Sequence, residues 1–272
     1  MRIWRTVMKK CSIVIRKHEN WPWMDVYDGA KTIAEPTIDA YESDFAICWT
    51  LWRGHKRRRI ADRHTEMGKP VICMENSWYP NYYQCVLRKD STECSGVNGA
   101  GLYPTDRRFV FSFKKWHQGD EILVCPQRGV TPNDPDISHG MDWVNSIVGR
   151  IRQHSERPIK WKANPKHPCV PKDTSDIEIV DRIPENPWCC VVYSSLIAVP
   201  LLQTGTPIIA DGPQTMYREL SGNLCDIENP PMLNRTKHFN RMMNQLWHSS
   251  DIKRGIAFKT LLEYHDKSKS VV

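Results

Sequence analysis

The sequence predicts an α/β protein of two parallel-sheet domains, and three observations carry that reading. Between Trp188 and Gly212 an apolar run, Cys189 to Tyr193, ends in Ser194 and Ser195; an apolar helical stretch, Gly205-Thr206-Pro207 and a second apolar run, Ile208 to Ala210, follow. That is a βαβ unit. Phe45 to Leu51 and Pro70 to Met74 read as another pair of buried strands, joined by a helix from Arg58 to Met67 that Gly68 closes. A fresh alternation of strands and helices opens at Glu121, which puts a hinge at Trp116 to Asp120 and domains over residues 1–118 and 119–272. Strands that are apolar on both faces belong to parallel sheets, and such sheets bind ligands outside the carboxyl ends of their strands.

At 40% hydrophobic and 25% charged over 272 residues, the composition excludes a disordered chain. The first residues, Met1 to Lys17, break short apolar runs with Arg and Lys, so neither a signal peptide nor a membrane span is expected there, and a cytoplasmic protein without membrane contact is. The ten cysteines are scattered and form no C-x-x-C pair, which predicts buried free thiols rather than a zinc site. A net charge of +7 and a pI of about 8.9 favour an anionic partner. Arg53, Lys56, Arg57, Arg58 and Arg59 crowd into seven positions. Such a run is either a solvated helix face or a contact to nucleic acid or nucleotide.

In the first half, the two strand ends place Trp52 to Lys56 beside Glu75 to Trp78 at one carboxyl edge. Trp78, Tyr79, Tyr82 and Tyr83 follow; aromatics beside a basic segment either stack on bases or fill a core. Glu75, just past an apolar strand, reads as a general base or as the ion-pair partner of a nearby arginine. Cys94 to Leu102 holds three glycines in a loop, yet lacks the strand-G-x-G-x-x-G-helix setting of a dinucleotide fingerprint, which excludes NAD.

In the second half, the strand Glu121 to Cys125 runs into Gln127, Arg128 and Gly129, and a helix spans Asp142 to Gln153. The strand Ile159 to Ala163 leads to Lys166 and His167. With Ser194 and Ser195, three strand ends thus gather cations and hydroxyls suited to a diphosphate. Alone, Ser195 reads equally as the N-cap of the next helix. Asp211, at the end of the last strand, is a candidate donor contact, and the helical region Asn240 to Tyr264 is expected to close the second domain.

Tyr193-Ser194-Ser195 with Gly205-Thr206-Pro207 resembles the nucleotide-sugar half of glycosyltransferases of the GT-B fold. Lys166-His167-Pro168 is similar to the basic motif of their capsule-type members, and Gln245 to Leu262 looks like their C-terminal helices. The first half, with W-R-G-H-K-R-R-R-I, G-K-P-V-I-C-M-E-N and G-V-N-G, is similar to compact phage-encoded enzymes of this group, some of which are thought to glycosylate hydroxymethylated pyrimidines in viral DNA. The resemblance implies two Rossmann-like parallel-sheet domains facing a central cleft. It implies a UDP-sugar donor held without a metal by Gln127, Arg128, Gly129, Lys166, His167, Ser194, Ser195 and Asp211. The acceptor would be double-stranded DNA containing hydroxymethylated pyrimidine, in an infected bacterium. Arg53, Lys56, Arg57, Arg58 and Arg59 would meet phosphates, Trp78 and Tyr79 a base turned out of the duplex, and Glu75 the hydroxyl proton, with His55 and Asp106 behind it. A capsule or lipopolysaccharide transferase, a nucleotide-sugar epimerase and a non-enzymatic DNA-binding protein are the competing readings.

Overall fold

The computed structural model describes residues 9–15, 22–49, 56–88, 111–117, 119–126, 140–165, 168–212 and 217–269. In chain order its elements begin with β1 (Lys10–Val14), α1 (Pro22–Lys31), β2 (Glu35–Ile38), β3 (Phe45–Trp49), α2 (Lys56–Glu66), β4 (Val71–Asn76) and β5 (Tyr82–Leu87). There follow β6 (Ile122–Cys125), α3 (Gly140–Arg152), β7 (Ile159–Trp161), β8 (Glu178–Ile179), β9 (Cys189–Val192), α4 (Ala198–Thr204), β10 (Ile208–Ala210) and β11 (Ser221–Gly222). Last come α5 (Arg235–Met243), β12 (Leu246–His248), α6 (Ser249–Lys253) and α7 (Ile256–Lys269).

The chain divides into two compact units, residues 1–107 with 244–272, and residues 108–243. Both carry a parallel-rich sheet with helices, as the apolar strands predict. The boundaries differ from 1–118 and 119–272 for a physical reason at each end. Residues 111–117 stay with the second unit because the Lys114 and His117 backbone N–H groups donate to the Gln203 and Gly205 carbonyls, both at 3.0 Å. The tail does not close the second unit. Its strand β12 pairs antiparallel with β5, and its Trp247, Ile252, Phe258 and Leu261 are buried in the first unit's core.

In the first unit the strand order is β12-β5-β4-β3-β1-β2, with β2, β1, β3 and β4 mutually parallel and β5 antiparallel to β4. Successive side chains of β3 serve opposite faces, as the twofold strand period requires. Phe45 and Ile47 join Val26, Ala30 and Phe258, while Ala46 and Cys48 pack with Ile60 and Ala61 of α2.

The second sheet is parallel throughout, in the order β11-β10-β9-β6-β7-β8. β6, β9 and β10 are buried along their whole length. The nine cysteines among the described residues are free thiols, all buried except Cys225. Burial pushes the Cys189 and Cys190 thiols up, so they behave as small apolar core residues. Among the described residues no helix is long and apolar enough to cross a membrane.

Gly205 closes α4 in the left-handed region, at φ 99°, with its N–H donating to the Leu201 and Leu202 carbonyls. A Cβ there would stand 2.1 Å from the Lys115 carbonyl oxygen. Strain and collision with backbone act together, so Gly205→Ala is expected to lower stability by about 2–3 kcal/mol, read as a shift in the urea midpoint. An unshifted midpoint would show that residues 111–117 detach at no cost.

Candidate functional site

Counted from β6, the second sheet has the order 3-2-1-4-5-6, and the order reverses between β6 and β9. Crossovers leaving such a point run to opposite faces, which opens a crevice at the carboxyl ends of the two strands. β6 sits between β9 and β7, so the strand ends followed by Ser194-Ser195, Gln127-Arg128-Gly129 and Lys166-His167 are consecutive across the sheet. The last two groups themselves lie outside the described residues.

Ser194 and Ser195 leave β9 in a bend, but Ser195 does not cap the following helix. The cap position of α4 is Ile197, in helical conformation and with no side-chain cap. The helix is only seven residues long, and its first N–H groups turn back on the chain: Ala198 donates to the Ser195 carbonyl at 3.2 Å and Val199 to Leu196 at 3.1 Å. The N–H groups that a helix start would offer to a phosphate are therefore partly spent within the turn. Ser194 and Ser195 stand at the edge, and the backbone of Ser195 is held by Tyr217, whose buried phenol donates to its carbonyl at 3.0 Å.

Asp211 is also corrected by its surroundings. Trp143 Nε1 donates to its Oδ2 at 2.7 Å, and Arg150 grips both oxygens at 2.6 and 2.8 Å. With a side chain only 14% exposed, the carboxylate ties β10 to α3 rather than standing open to a donor. Trp143 meets Tyr193 edge-on, ring centroids 5.8 Å apart, so the same tryptophan steadies the segment that enters Ser194. Gly212 completes the edge, because a Cβ there would come within 2.4 Å of the Tyr193 carbonyl oxygen.

In the first unit the parallel strands run 2-1-3-4 and the order reverses between β1 and β3. The loop after β3, which carries Arg53 and His55, thus departs at that reversal, although these two residues and Asp106 lie outside the described residues. Lys56 and Arg57 open α2, and nothing further is described of their side chains. Arg58 is not available to a phosphate. Its side chain is 12% exposed and its Nε donates to Asp62 at 3.1 Å, while Asp62 also takes Arg88 Nη2 at 2.6 Å. Arg59 is exposed. The first turn of α2 has no acidic residue, an arrangement that the helix dipole disfavours by about 0.3–1 kcal/mol per cation, so an anion placed there would be stabilised.

Glu75 sits half-buried near the carboxyl end of β4, where its Oε1 accepts the Asn76 backbone N–H at 2.9 Å. Across the ladder it pairs with Gln84 of β5, which in turn pairs with Leu246; two positions along the same ladder, Tyr82 pairs with His248. Trp78, Tyr79, Tyr82 and His248 form a half-buried row with centroids 5.8, 6.4 and 5.2 Å apart. Among the described residues, Trp78 Nε1 and Gln84 Oε1 are buried without hydrogen-bond partners. His248 Nδ1 accepts the Ser250 backbone N–H at 3.2 Å, which puts the proton of the neutral ring on Nε2 and makes that nitrogen a donor. Sequence reasoning named Glu75, Trp78 and Tyr79 but missed Gln84, His248, Trp143, Arg150 and Tyr217.

No protein-family model matches the chain, and no curated protein does. The likeness to GT-B transferases rests on its motifs alone.

Proposed function

We propose that the chain is a glycosyltransferase of GT-B-like design that moves a sugar from a UDP-sugar to the hydroxymethyl group of 5-hydroxymethylcytosine, or hydroxymethyluracil, in DNA. The observation that carries the nucleotide half of this reading is the reversal of strand order between β6 and β9, with Ser194 and Ser195 at its edge. The two hydroxyls hold the diphosphate, and the loops bearing Gln127, Arg128, Gly129, Lys166 and His167 add cations and donors as charge develops on the leaving group. In the first unit Glu75 takes the proton of the target hydroxyl. The hydroxyl oxygen then bonds to the anomeric carbon as UDP departs with the electrons of the broken bond. Arg59, with Lys56, Arg57 and Arg53, meets backbone phosphates, and Trp78 and Tyr79 receive the unstacked base. The acceptor half rests on the resemblance together with the basic opening of α2 and the aromatic row beside Glu75.

Nucleoside mass analysis after incubation with hydroxymethylcytosine DNA, unmodified DNA and a panel of UDP-sugars tests the whole reading. A sugar-sized gain on the modified base alone is expected; no gain anywhere, with UDP bound, removes the DNA acceptor. The donor half is tested separately. Replacing Ser194 and Ser195 by alanine is expected to weaken UDP binding about tenfold or more in calorimetry while leaving DNA affinity alone. Unchanged UDP affinity would take the diphosphate away from this edge.

A further inference from the structure

Within the second unit, one face of α4 and two irregular segments, residues 114–117 and 183–186, line a cavity of about 300 Å³. That is the lower end of the size range of small-molecule pockets. Its lining includes neither Ser194, Ser195 nor Asp211, so it is separate from the proposed diphosphate edge. Ile197 and Leu201, one turn apart on α4, make part of the wall, and Ile183 and Pro184 extend its apolar surface.

One buried polar atom at this cavity lacks a partner among the described residues, His117 Nδ1. Thr206, only 1% exposed, also lines it. Burying a polar group unpaired costs about 1–3 kcal/mol, so the imidazole marks where a guest places a polar atom. The charges at the cavity are of both signs. Lys114 and Glu185 are exposed, and neither forms an ion pair with a described residue. An anion that gains from Lys114 is opposed by Glu185, and a cation meets the converse, whereas a guest bearing both charges satisfies the two together.

The wall is also built to stay in place. Arg235, itself buried, donates to the Leu202 carbonyl at 2.5 Å and the Lys114 carbonyl at 2.6 Å, and stacks 4.0 Å over Trp116. This fixes the Lys114 to His117 segment against the end of α4 before any guest arrives, which lowers the ordering cost of binding.

We propose that this cavity is a binding site for a small zwitterion with an apolar body, the chemistry of a free apolar amino acid. Lys114 takes the carboxylate, Glu185 takes the ammonium, and the apolar part lies along Ile197 and Leu201. The site is independent of the proposed sugar transfer. The probes are L-leucine and L-phenylalanine, titrated into the full chain by calorimetry, with N-acetyl-L-leucine and isoamylamine as analogues that each lack one charge. Saturable binding of at least one amino acid is expected, weakened about tenfold or more in Lys114→Gln and in Glu185→Gln and lost to a similar degree by both analogues. Both positions are exposed, so these variants fold; Thr206→Val, close to isosteric, tests the buried hydroxyl in the same way. Absence of saturable binding to the wild-type chain, analogues that bind as tightly as the amino acids, or variants that bind as the wild type does would each overturn the proposal.

Discussion

Glu75→Gln is expected to lower turnover by about 10²- to 10⁴-fold while UDP and DNA still bind, the usual range for removing a general base. The substitution is mild for the fold. Glutamine keeps the length of the side chain and an oxygen able to accept the Asn76 N–H, so the position opposite Gln84 survives. Only the capacity to take a proton goes. Because a base must be ionised to act, the acid limb of the pH–rate profile should vanish with it. Unchanged turnover, or a retained acid limb, would move the role to His55 or Asp106. A fall in DNA affinity without a fall in turnover at saturation would make Glu75 a binding group instead.

The core strands were legible because they obey a local rule. Runs such as Phe45 to Trp49 and Cys189 to Val192 are apolar at every position, which only a strand covered on both faces allows. Edge strands obey no such rule: β2 contains Pro36, and β8 is two exposed residues, so neither announces itself. The tail was misassigned for a related reason. Its helical period says that one face is buried but not against which sheet, and the answer lies in a ladder between His248 and Tyr82, 166 positions earlier. Side-chain roles were the least legible. Asp211 at a strand end looks free in one dimension, yet it is claimed by Arg150, 61 positions earlier; Arg58 pairs with Asp62 one helical turn further on, a spacing that the sequence itself displays. The opposite also holds, since nothing around His248 in the sequence announces that β12 sets it beside Tyr82.

Asp62→Ala is expected to cost about 3–5 kcal/mol of stability, the range for stripping the partner from a buried charge. Arg88 is the reason. Its side chain is 0% exposed, and its Nη2 lies 2.6 Å from Asp62 Oδ1, with the Thr65 hydroxyl 3.3 Å from Nη1. Losing Asp62 takes the carboxylate at 2.6 Å away from a guanidinium that water does not reach. The carboxylate is 31% exposed, so water entering the vacated space pulls the cost toward the lower end of the range. Asp62→Asn keeps an acceptor without the charge and should fall between the two. Replacing both partners with apolar residues, Asp62→Ala with Arg88→Leu, should recover much of the loss, because the penalty belongs to the orphaned charge and not to the missing attraction. Urea midpoints of the four proteins decide it. A single variant within about 1 kcal/mol of wild type would mean that Arg88 finds another carboxylate, and equal losses in single and double variants would mean that the pair itself stabilises the unit. The outcome bears on the site as well, since Asp62 holds Arg58 against α2. Without it Arg58 loses that carboxylate, and the two roles of the basic run, holding the fold and meeting phosphate, can be tested apart.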